Sequence, residues 1–91
     1  MTISKLSNIP LKDFRRFLKS QGLILDKNSK GRGGHEKWTN NELLRPITIQ
    51  SHIDPVPEFI VKQILRYLNM DREIFIEQMN KVFEFGDDWG M

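Results

Sequence analysis

His35-Glu36-Lys37-Trp38-Thr39 and Pro46-Ile47-Thr48-Ile49-Gln50-Ser51, joined through the polar Asn40-Asn41-Glu42-Leu43, are the residues whose reading decides the fold. Polar and apolar side chains alternate in both segments, and a period of two sends them to opposite faces of a strand. Ile47 and Ile49 then point inward, and Thr48 and Gln50 outward. With Trp38 in the core beside the isoleucines, His35 and Lys37 share the open face with Thr48 and Gln50. Glu36 falls on the other side.

Working upstream, the hairpin is preceded by Lys27-Asn28-Ser29-Lys30-Gly31-Arg32-Gly33-Gly34, a loop with three glycines and three cations. Glycines allow close backbone approach to a ligand, and successive N–H groups in such a turn can form a concave anion site. Lys30 and Arg32 add full charge, and Lys37 points the same way as His35. A solvated hairpin loop and a structural histidine are the plainer reading of these residues. The sharper one is a phosphate cradle with a proton-transferring imidazole at its rim. Leu23-Ile24-Leu25-Asp26-Lys27 is short, apolar and bounded by turn signals, which makes it the first strand in chain order.

Before it, a helix is expected over about 10–21, with Pro10 in its first turn, Ser7 or Asn8 as cap and Gly22 at its end. Leu11, Phe14, Phe17 and Leu18 form its buried stripe. Lys12, Arg15, Arg16 and Lys19 recur on another face and would give it a continuous cationic side, a candidate surface for phosphate contacts. Residues 1–9 read as a loose lead-in. After the hairpin comes the proline-rich turn His52-Ile53-Asp54-Pro55-Val56-Pro57. A second helix follows over about 57–68 with Ile60, Val61, Ile64, Leu65 and Leu68 inward. Asn69-Met70 interrupts the pattern, and Asp71 is placed to cap a third helix over about 72–82. The apolar side of that helix would hold Ile74, Phe75, Gln78, Met79 and Val82. An acidic, aromatic tail ends the sequence. The expected organisation is thus a lead-in (1–9), a domain (10–70), and a C-terminal helix with tail (71–91). The fold class is α+β, with the order α-β-β-β-α around a three-stranded antiparallel sheet plus an extra C-terminal helix.

Composition narrows the function. The 91 residues carry a net charge of +2, divided between +6 over residues 1–50 and −4 over residues 51–91. A basic half suits a polyanionic partner. No run approaches the ~18 apolar residues of a membrane span, no signal peptide opens the chain, and a reducing cytoplasm suits a sequence without cysteine. Two histidines seventeen residues apart, with no cysteine and no tight carboxylate cluster, do not form a recognisable metal motif. Helices separated by a sheet also argue against a helix-turn-helix DNA reader.

Three segments together resemble the HicA toxins, small ribonucleases of toxin–antitoxin modules. They are the leading helix ending in glycine (Phe14–Gly22), Gly33-Gly34-His35-Glu36-Lys37-Trp38, and Ile47-Thr48-Ile49-Gln50-Ser51-His52 followed by a helix with Ile64-Leu65 in its middle. The resemblance spans roughly Pro10 to Met70. It implies a double-stranded-RNA-binding-domain-like fold, cleavage of mRNA without a metal or other cofactor, and a HicB-like antitoxin as partner. It also implies that His35 is the catalytic histidine. The sequence departs from the family pattern where Gly34 replaces a serine and where Gln50 stands in place of a frequent proline. Residues 71–91 lie beyond the resemblance.

Metal-free RNA cleavage uses the ribose 2′-hydroxyl as nucleophile, so a base must accept its proton and an acid must protonate the leaving 5′ oxygen. Histidine is suited to either task near neutral pH. Lys30, Arg32 and Lys37 would favour the neutral, basic imidazole and meet the charge of the phosphorane. His52 is a candidate acid only if the turn after the third strand brings it alongside; a scaffold role is its plainer reading. Two further functions use the same residues differently. A non-catalytic RNA-binding module would need the cations alone, and an antitoxin-binding domain would need neither the cations nor the histidine.

Overall fold

The computed structural model describes residues 5–26 and 34–85, with side chains given as far as residue 81. In chain order the elements are α1 (Leu11–Ser20), β1 (Ile24–Leu25), β2 (His35–Thr39), β3 (Ile47–Gln50), α2 (Glu58–Tyr67) and α3 (Arg72–Phe85). The three strands form one antiparallel sheet in the order β1-β2-β3. Most of Lys27–Gly34, including Lys30 and Arg32, lies outside the described residues, as do the Val82 side chain and the end of the tail.

Helix α1 forms where its apolar spacing predicts, and Leu11, Phe14, Phe17 and Leu18 are buried along it. Neither Ser7 nor Asn8 caps it. Pro10 occupies the cap position, and the Leu11 N–H, which has no partner within the helix, is satisfied by Asp54 Oδ1 at 2.9 Å, from the turn before α2. At its other end Gly22 takes φ +85°, while Leu23 N–H reaches Leu18 C=O and Gly22 N–H reaches Lys19 C=O. That pair of bonds is a Schellman closure, which requires a left-handed residue. Helix α2 closes the same way through Asn69 at φ +56°, with Met70 N–H to Leu65 C=O and Asn69 N–H to Arg66 C=O. Asp71 caps α3 as expected, accepting the Ile74 N–H at 2.8 Å.

Strand β1 is shorter than its sequence suggests, two residues in place of five, and Ile24 faces solvent. Burial in β2 and β3 alternates as the period of two requires, with Glu36, Trp38, Ile47 and Ile49 inside. The connection between them is turned by Asn40, whose Oδ1 accepts the N–H groups of Glu42 and Leu43. Tyr67 holds its far end, accepting the Arg45 N–H (2.9 Å) and donating to the Arg45 C=O (2.7 Å) through one hydroxyl.

Two expectations need correction. The lead-in is not loose over residues 5–9: Leu6 and Ile9 are buried, and Ile9 forms an antiparallel bridge to Val56, also buried. The expected apolar side of α3 joins the core. Phe75 and Met79 of α3 are fully buried, and Phe75 packs edge-on to Phe17 (4.8 Å between ring centroids) and against Phe14 (6.3 Å). Ile74, expected inside, is half exposed because the buried line of α3 runs through Phe75 and Met79, with Ile76 partly covered beside it.

Candidate active site

The hairpin register fixes the site. His35 pairs with Gln50 and Lys37 with Thr48, so the four side chains stand together on the face of the sheet away from the core. All four are exposed. Asp26 N–H donates to Lys37 C=O at 2.8 Å, which brings a carboxylate residue opposite Lys37 on the neighbouring strand. Ile24, opposite Thr39, extends this face with an apolar residue.

On the reverse side of β2, Glu36 is buried and accepts three hydrogen bonds. Arg15 gives two, from Nε at 3.2 Å and Nη2 at 2.5 Å, and the Trp38 indole N–H gives the third at 3.2 Å. A carboxylate taken from water this far must be paired, and the forked guanidinium suits it. This pairing corrects the expected cationic side of α1. Arg15 turns its charge to the packed face of β2, opposite His35, and joins helix to sheet. Arg16 lies 3.6 Å from the buried Asp13, while Lys12 and Lys19 remain exposed. The structure therefore brings His35 and Lys37 together on the open face of the sheet, while Arg15 reaches its packed face. Lys30 and Arg32 belong to the segment outside the described residues.

Gly34, just before His35, has φ +72°, a conformation L side chains rarely adopt. Its carbonyl accepts both the backbone N–H (2.5 Å) and the hydroxyl (2.9 Å) of Ser51, which continues the ladder one step beyond β2 and β3. The His52 ring lies against it: a Cβ added at Gly34 would come within 2.5 Å of His52 Nδ1. The torsion favours glycine here, and a larger side chain would have to displace the exposed His52 ring. The contact carries the second imidazole to within about 8 Å of the His35 Cα, given the ~3.8 Å step between neighbouring Cα atoms. Nothing in the sequence signalled it, since the approach depends on the turn after β3.

His35 also lines a cleft of about 280 Å³ between β3 and the start of α2, together with Thr48, Gln50, Pro57, Phe59 and Ile60. Phe59 drew no notice in the sequence, although it is a large apolar residue outside the buried stripe of its helix. Among the described residues no group of three His, Cys, Asp or Glu side chains could hold a metal ion, and no helix is long and apolar enough to cross a membrane. Comparison with protein-family models, with curated proteins and with solved structures finds no match in any of the three.

Proposed function

We propose that this protein is a metal-independent endoribonuclease of the HicA toxin type, acting on mRNA in the cytoplasm and restrained by a HicB-like antitoxin. The observation that carries the reading is His35, exposed on the open face of the sheet beside Lys37 and at the mouth of a cleft. In the proposed reaction His35 accepts the 2′-hydroxyl proton as that oxygen attacks the adjacent phosphorus. The bond from phosphorus to the 5′ oxygen breaks, leaving a 2′,3′-cyclic phosphate and a 5′-hydroxyl. Lys37 contributes positive charge on the same face as the phosphorane forms. His52, whose ring lies against Gly34, is the candidate to return a proton to the 5′ oxygen. A double-stranded-RNA-binding-domain-like ancestry fits the element order, and α3 would be an addition to it.

The competing reading is a non-catalytic domain that binds RNA or the antitoxin. The exposed Ile24 on the open face favours it, because an apolar residue there suits a protein surface better than a phosphate backbone. One experiment separates the two. Purified wild type and His35→Ala are incubated with mRNA in EDTA, and product ends are identified. Cyclic phosphate ends from wild type, lost in the variant by about 10²–10⁴-fold in rate, are expected. Equal cleavage by both would remove His35 from the chemistry, and no cleavage by either would leave the binding reading.

A further inference from the structure

We infer that the cleft beside His35 is a subsite for one unpaired nucleobase of an RNA strand, with Phe59 as its stacking platform and Gln50 as its reader. This deepens the nuclease reading and rests on it for the nature of the occupant. Phe59 is 69% exposed, although it lies on a helix that buries Val61, Ile64 and Leu65. An aromatic ring left in solvent gains nothing for the fold. It does offer a flat apolar surface, and every base has a face to lay on it. Ile60 and Pro57 extend that apolar wall, while Thr48 and Gln50 stand across from it on β3.

Gln50 is suited to the reading task because its amide both donates and accepts, as the edges of bases do. Its register partner is His35, so a base held against Gln50 keeps its own ribose and phosphate near the imidazole. The cleft, at about 280 Å³, has room for a single ring system. Bases inside an A-form duplex have both faces covered and are not open to such stacking; only an unstacked base can enter. The geometry therefore selects loops and single strands, although the order of elements resembles that of a duplex-binding fold.

Binding of a fully 2′-O-methylated RNA oligonucleotide carrying 2-aminopurine tests this without strand cleavage, since the methyl group blocks the attacking oxygen. Wild type should quench the fluorescence on binding. Phe59→Ala should lose the quench and weaken binding about 5- to 150-fold, the range of one base–aromatic stack, while Phe59→Trp should restore both. Thermal melts of both variants establish that they are folded. Equal affinity of wild type and Phe59→Ala, or equally tight binding of the same sequence as a duplex, would overturn the subsite. Because the ligand is uncleavable, a subsite that binds as expected in a protein that cuts no RNA would sink the catalytic proposal and leave this one standing.

Discussion

Strand β2 presents two regions of opposite character on alternate residues. Glu36 and Trp38 face inward and are fastened, the carboxylate by Arg15 and by the indole beside it, the indole ring by complete burial. His35 and Lys37 face outward onto an open surface that ends in a cleft. A single strand thus anchors with one parity and presents with the other. Helix α1 pulls on the inward side, and the proposed chemistry uses the outward side, so stability and activity should respond to different substitutions a residue apart.

The most damaging way to break this contrast is Trp38→Ala. Removing the largest fully buried side chain among the described residues should cost about 3–5 kcal/mol, measured by urea unfolding, and should lower activity only by unfolding the protein. If the two faces are separable, His35→Ala should leave the unfolding free energy within about 0.5 kcal/mol of wild type despite its loss of cleavage. Arg15→Ala comes next. It strands the buried Glu36, but Arg15 is itself 35% exposed, so solvent offsets part of the loss and a destabilisation of about 1–3 kcal/mol is expected. If Arg15 instead served RNA, the variant would keep its stability and lose affinity. The smallest effect belongs to Asp54→Ala, which removes the distant cap of α1 at a cost of about 1 kcal/mol, read as a shift in the denaturation midpoint.

The same contrast explains what could be read from the chain. The parity of β2 and β3 was legible because it needs only a local period, and it placed His35, Lys37, Thr48 and Gln50 together correctly. The end of α1 at Gly22 and the capping role of Asp71 followed from residues with strong backbone preferences, whereas the cap at its start comes from Asp54. Arg15 was misread because a helical wheel groups it with Lys12 and Lys19, and only the approach of β2 reveals the carboxylate that claims it. Ile9 was missed for a related reason: it is paired with Val56, far along the chain. The extent of the core into α3 depends likewise on Phe75 meeting two phenylalanines of α1.

The packing of His52 on Gly34 links the residue just before β2 to the turn that follows β3. A serine or larger residue at position 34 would have to swing the exposed His52 imidazole aside. Substitutions at the two sites should therefore be inherited as a pair, and swapping one without the other would produce a hybrid that neither ancestor had been selected to tolerate.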